Sequence, residues 1–210
     1  MIPLFYFGPI QYWKDIFQLE SIPFYQGSSL PKKSYANRMT ISTANGLQNL
    51  TVPILGGRGI KIPYSEIEIS YIENWISQHK MALQSAYSKS PFYEYYIDAY
   101  HHILEKRHSN LTALNSEIFW KTMKFLKGKN GIMPSAVNAD PTIPDPWSLY
   151  EKYQPNLYSA TLEYPQVFRN KFDFQPDLSI LDLLFNLGNE SFNYLCQESS
   201  FEVSRSRTTD

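Results

Sequence analysis

The chain has 210 residues, 43% of them hydrophobic and 19% charged, a net charge of −1 and an isoelectric point near 6.4. That length sustains one continuous core, so a single domain over 1–198 with a polar, frayed tail at 199–210 is expected. A near-neutral surface offers no long-range attraction for phosphate backbones or anionic lipid, which argues against nucleic acid as a partner.

The opening residues 1–13 are apolar but lack a preceding positive region and a small-residue cleavage site, so they are not expected to form a signal peptide. No stretch reaches the roughly 20 apolar residues needed to span a bilayer. The single Cys196 cannot close an internal disulfide, which fits a reducing, cytoplasmic setting. Asn49-Leu-Thr51, Asn110-Leu-Thr112 and Asn189-Glu-Ser191 fit the glycosylation pattern, which has no consequence without entry to a secretory route.

Leu4 to Phe7 reads as a short buried strand, and Gly8-Pro9 then opens a helix carrying Tyr12, Trp13, Ile16 and Phe17. Ser21 to Tyr25 is a second apolar run that Pro23 confines to an edge or to irregular structure. From Asn37 to Ile54 two β-prone runs flank Ala44-Asn45-Gly46, where Asn-Gly supplies the positive φ angles of a hairpin turn. Glu66 to Ser70 alternates charged and β-branched residues and predicts a half-buried strand.

Helical spacing begins after Glu73, is interrupted at Ser90-Pro91, and resumes through Phe92, Tyr96, Ile103 and Leu104. Asn110 is placed to cap a third helix that Gly128 ends. Between 128 and 147, two glycines and four prolines predict a long surface loop, suited to act as a lid. A dense apolar helix follows Asp177 and closes at Gly188. The fold class expected is mixed α/β, a small sheet including the 37–54 hairpin packed by several helices, with α+β as the alternative.

His101, Glu105 and His108 share one helix face, and Asp98 with His102 makes a second pair, but one helix cannot close a metal site and no further ligands cluster elsewhere. Neither a metal nor a cofactor is expected. Gly56-Gly57-Arg58-Gly59 with Lys61 lacks the ending of a phosphate-binding P-loop and reads as a flexible turn. No serine elbow is present, and apolar surroundings would raise the Cys196 thiol and dull it.

What remains is a polar set around the hairpin. Lys32, Asn37 and Arg38 lie just before or within it, and His79 lies on the helix after Glu66 to Ser70. A guanidinium to bind an anion, an amide to orient it and an imidazole to move a proton make a transferase kit. The bland alternative is a surface arginine and a histidine bonded to a backbone carbonyl.

The ordered strings Pro9-Ile10-Gln11-Tyr12, Asn37-Arg38-Met-Thr-Ile41, Asn45-Gly46, Leu50-Thr51-Val52-Pro53, Asn74-Trp75, Gln78-His79 and Ala86-Tyr87 resemble the bacterial WbqC-like family. Tyr164-Pro165-Gln166 and the run from Pro176 to Asn186 with Gly188 match it as well. The chain resembles a short form. Where longer members open with His-Gln-Pro-Asn-Tyr it has Ile2-Pro3-Leu4-Phe5-Tyr6, and the Tyr-Leu-Ser-Gly segment that longer members carry is absent.

The resemblance implies a role in surface-polysaccharide functions, including O-antigen biosynthesis, with group transfer of acyl, aminoacyl or glycosyl type to or from an activated or amino sugar. The expected site then has Arg38 and Lys32 on an anionic donor, Asn37 orienting it and His79 as general base. Tyr12, Trp13, Trp75 and Gln78 would line the cleft. The other reading is a non-catalytic binding or assembly protein that keeps the family scaffold, favoured by the missing opening histidine.

Overall fold

The computed structural model describes residues 3–19, 21–24, 35–56, 63–126, 135–138 and 162–197. Lys32 and the predicted tail lie outside them, as do Gly128 and residues 57–62. The fold is mixed α/β. Its helices are α1 (Ile10–Phe17), α2 (Trp75–Tyr87), α3 (Tyr93–Glu105), α4 (Leu111–Leu126), α5 (Ile180–Leu187) and α6 (Glu190–Cys196). Its strands are β1 (Ser21–Phe24), β2 (Arg38–Thr43), β3 (Gly46–Thr51) and β4 (Ser135–Asn138).

Strands β2 and β3 form the expected antiparallel hairpin, with Arg38 opposite Thr51 and Thr43 opposite Gly46. The turn falls on Ala44 and Asn45, and only Gly46, at φ 102°, takes a positive φ. Thr43 secures the corner: its Oγ1 donates to the Gly46 carbonyl at 2.8 Å and accepts from the Asn45 N–H at 3.2 Å. Strand alternation turns Met39, Ile41 and Leu50 into the core and leaves Arg38, Thr40, Asn49 and Thr51 on the other face.

Helix α2 packs on β2 and is tied to both edges of the hairpin. The Tyr87 hydroxyl accepts from the Ser42 N–H at 3.3 Å on one edge. The backbone of Thr51 is a hydrogen-bonding neighbour of His79 on the other.

Three expectations are corrected. Leu4 to Phe7 is not a strand: the segment is buried, Phe7 takes φ 48°, and the chain turns into α1 at Pro9. In place of a ladder, the Tyr6 N–H donates to the Tyr35 carbonyl at 3.0 Å. Glu66 to Ser70 keeps its alternation, with Ile67 and Ile69 buried, but it makes only the isolated bridges Ile54 to Ile69 and Glu68 to Asn110. The proline-rich stretch 128–147 contains β4, which pairs in parallel with β1 through Pro23 opposite Val137. Among the described residues β1 has β4 as its single neighbour, so a proline that lacks an N–H donor is tolerated on its free edge.

Helix ends follow side-chain chemistry. Asn110 Oδ1 accepts the Ala113 N–H at 2.8 Å, capping α4 as expected. Ser179 caps α5, and Gly188, at φ 55°, ends it. Helix α1 has no cap from Pro9, and its first turn is capped from a distance: Asp177 Oδ1 accepts the Gln11 N–H at 2.8 Å. Asp177 takes a left-handed φ of 56°, a conformation that a short polar side chain tolerates better than most.

The core is continuous and aromatic. Tyr6, Tyr12, Trp13, Tyr64, Trp75, Tyr87, Tyr96, Tyr100, Phe119 and Phe185 are all essentially buried. Their hydroxyls find acceptors, as buried tyrosines must. Tyr12 donates to the Pro3 carbonyl at 2.8 Å and Tyr64 to the Leu4 carbonyl at 2.7 Å. Asn115, on α4, adds donations to the carbonyls of Leu4 and Ala36 at 3.2 and 2.6 Å, and so pins the N-terminal segment.

Candidate functional site

Asn37 and Arg38 stand at the open end of the hairpin. The Asn37 side chain donates to the Val52 carbonyl at 3.0 Å, while the Val52 N–H donates to the Asn37 carbonyl at 2.8 Å. That double clasp makes Asn37 a hairpin clamp. It also fixes the backbone from which Arg38 projects.

Arg38 has no hydrogen bond or ion pair among the described residues, although its Nε is shielded from solvent. Its cross-strand partner is Thr51, whose side chain is exposed. A half-buried guanidinium with no carboxylate partner among the described residues is unusual, because unmet donors of a charged group carry a desolvation cost.

His79 lies on the core side of the same strand pair, 3% exposed. Its Nδ1 is 2.9 Å from the Tyr6 hydroxyl, and the Thr51 backbone engages the ring as well. Trp75 meets the imidazole edge-on at 5.2 Å, stacks on Tyr71 at 5.8 Å and donates through Nε1 to the Ser70 carbonyl at 3.1 Å. Burial pushes the imidazole down to about 4, overriding the opposing pull of the Thr51 backbone. His79 is therefore neutral at pH 7, with both nitrogens occupied, and a proton-carrying role requires it to leave one partner first.

The remaining predicted residues separate. Gln78 precedes His79 on α2 but is exposed. Tyr12 and Trp13 sit in the core, where Trp13 stacks on Phe119 at 5.1 Å and its Nε1 has no acceptor among the described residues. Thr51 thus lies opposite Arg38 and beside His79, with the guanidinium and the imidazole on different faces of the hairpin. Tyr6, absent from the sequence-based set, pairs with His79.

A second polar group lies where α1, α6 and the lead into α5 converge. Asp177 is 9% exposed, and its Oδ2 has no partner among the described residues. Burial, with Asp15 nearby, raises its carboxyl to about 7 against the opposing effects of the Gln11 N–H and Lys14. Lys14 is 4% exposed, with its ammonium 4.7 Å above the Tyr194 ring. Sequence reasoning overlooked it, yet a lone lysine in an apolar helix was a visible signal.

Asp182, on α5, is fully buried but well supplied. Tyr164 donates to it at 2.7 Å, Gln166 and Asn186 approach at 3.4 Å, and Tyr87 bonds it too. Burial still dominates and raises the carboxyl to about 6.

The histidine face of α3 does not form a cluster. The helix ends at Glu105, which pairs with Lys80, while His108 lies past the turn at Arg107 and bonds Glu117 at 2.7 Å. Among the described residues no group of three or more His, Cys, Asp or Glu is placed to hold a metal, and no helix is long and apolar enough to cross a membrane. Cys196 is exposed, with its thiol raised by partial burial.

The model of the WbqC-like protein family matches residues 5–138, a span that holds the hairpin, α1 to α4 and β4. The chain is also 27% identical over 222 aligned positions to a protein of Mycobacterium tuberculosis (strain ATCC 25618 / H37Rv) described as "Uncharacterized protein Rv1507c", covering 87% of this chain and 92% of that one. No solved structure matches. The hairpin with its Asn37 clamp and the helices packed on it are the body of that matched span, and the chain belongs to the WbqC-like family.

Proposed function

We propose that the protein is a group transferase of acyl, aminoacyl or glycosyl type in bacterial surface-polysaccharide or amino-sugar metabolism, and that Arg38 binds the anionic group of its activated donor. One observation supports the reading: a guanidinium with a shielded Nε and no hydrogen bond or ion pair among the described residues, on a backbone held by the Asn37 clasp. Such a group is satisfied by a phosphate or carboxylate, which its planar fork can meet at two points. The metabolic setting is what the family resemblance implies, and a cytoplasmic location accords with soluble activated sugars. Lys32, which lies outside the described residues, is assigned to the same anion only through the family resemblance.

The test is turnover. Purified protein is incubated with nucleotide sugars bearing free amino groups, paired with acyl and aminoacyl donors, and products are read by mass spectrometry. A product of donor-group mass that vanishes in Arg38→Ala supports the reading. Product formation unaffected by Arg38→Ala contradicts it.

The second reading, a non-catalytic binding or assembly protein, is favoured by His79. Its neutral, doubly engaged ring braces α2 against Tyr6 and the hairpin edge. Specific sugar binding without any product under these conditions would select this alternative.

A further inference from the structure

Strand β3 has β2 on one side and no strand on the other among the described residues. Thr43 faces Gly46 across the turn, so alternation points the backbone N–H and C=O groups of Gln48 and Leu50 at β2 and those of Leu47 and Asn49 away from it. The far edge of β2 obeys the same alternation. Ser42 and Thr40 lie opposite Leu47 and Asn49; the Ser42 N–H donates to the Tyr87 hydroxyl, and the Thr40 carbonyl accepts the Ser179 N–H.

The outward groups of β2 are thus claimed by α2 and by the lead into α5. On β3 the Thr51 backbone is engaged by His79, while the outward backbone groups of Leu47 and Asn49 have no partner among the described residues. The edge is open to solvent: Leu47 is 54% exposed, and Gln48 and Asn49 are exposed beside it. Monomeric proteins blunt such edges with a lysine, a proline or a bulge. The run from Gly46 to Thr51 carries none of these.

We propose that β3 pairs antiparallel with β3 of a second copy, about a two-fold axis through Gln48, joining the two hairpins into one continuous sheet. In that register Leu47 of one copy faces Asn49 of the other, and every free N–H meets a free C=O. The Gln48 amide is both donor and acceptor, so it meets its own copy across the axis. Leu47 meets its own copy on the diagonal, which covers apolar surface that the single chain exposes.

No charged residue lies in the strand, so no like charges oppose one another. Any extended peptide would match the backbone groups, but the self-complementary register, amide and charge select a second copy. The pairing does not depend on the anion reading of Arg38. It places both Arg38 side chains on one face of the joined sheet, the face that also carries Thr40 and Asn49.

Sedimentation velocity on the full chain from about 5 to 500 µM, with amide hydrogen exchange at both ends of the range, tests the pairing. The weight-average mass should climb from 24.5 kDa toward twice that value, and the Leu47 and Asn49 amides should exchange more slowly at the upper end. Gln48→Lys and Gln48→Glu leave the core untouched, since Gln48 is exposed. Each variant alone sets like charges face to face and should weaken the dimer roughly two- to fivefold, whereas an equimolar mixture of the two restores it.

A monomer across the whole range overturns the proposal. With freely exchanging amides it would leave the edge to a different protein, and with amides protected at every concentration it would mean that another part of this chain covers the edge. A dimer in which the Leu47 and Asn49 amides stay unprotected, or which both charged variants form as well as the parent, overturns it too, because it is built on another surface.

Discussion

The Tyr6 hydroxyl and His79 Nδ1 stand 2.9 Å apart across 73 residues of sequence, tying the N-terminal segment to α2 behind the hairpin. With the Thr51 backbone on the ring as well, the tyrosine is the donor and the neutral imidazole the acceptor. Tyr6→Phe removes the donor and leaves a buried nitrogen unmet. It should cost about 1–3 kcal/mol in chemical denaturation, whereas an unchanged midpoint would show that the contact contributes nothing.

Acid should weaken the fold through the same ring. The imidazole of His79 is held down to about 4 by burial, so the unfolded chain binds the extra proton between pH 6.5 and 4. Stability from this group is complete above about 6.5 and is lost as the pH falls through about 4, by roughly 3 kcal/mol in all. His79→Gln should flatten that part of a stability-versus-pH curve.

Asp182 acts in the opposite direction. Its carboxyl is raised to about 6, so the folded chain holds the proton more tightly; the contribution is fully present below about 4 and is lost as the pH rises through about 6. Asp182→Asn keeps an oxygen for Tyr164 and removes the charge. Relative to the parent, it should gain stability at pH 8 and show little change at pH 4, as read from melting temperatures.

Gly188→Ala combines two penalties. The residue has φ 55°, and an added Cβ would lie 2.7 Å from the Phe92 ring. Phe92 is 39% exposed and can swing outward, so the backbone sets most of the loss, about 1–2 kcal/mol in denaturant titration.

Local signals made much of the fold legible. The hairpin announced itself through Asn45-Gly46 between β-prone runs, α4 through Asn110, and α5 through the dense apolar run ending at Gly188. What escaped were features set by distant partners. Leu4 to Phe7 has strand composition, but Tyr64, Asn115 and Tyr35 claim its backbone from other elements. Strand β4 exists because β1 lies beside it, and no periodicity within a proline-rich stretch announces that.

The site was legible in part for the same reason. Arg38 lies opposite Thr51 and His79 neighbours its backbone, but the side on which each projects depends on strand alternation and helix packing. Asp177 stayed hidden because its place depends on the loop before α5 folding back over α1, a contact made across 166 residues from Asp177 to Gln11.

The most direct test of the Arg38 reading is a thermal-shift series of parent and Arg38→Ala against nucleotide sugars and the corresponding free nucleotides. Arg38 has no described partner to lose, so the variant should melt within a degree or two of the parent without ligand. With ligand, the parent should rise with concentration and the variant should not. Equal ligand-dependent rises in the two proteins would contradict Arg38 as the anion-binding residue.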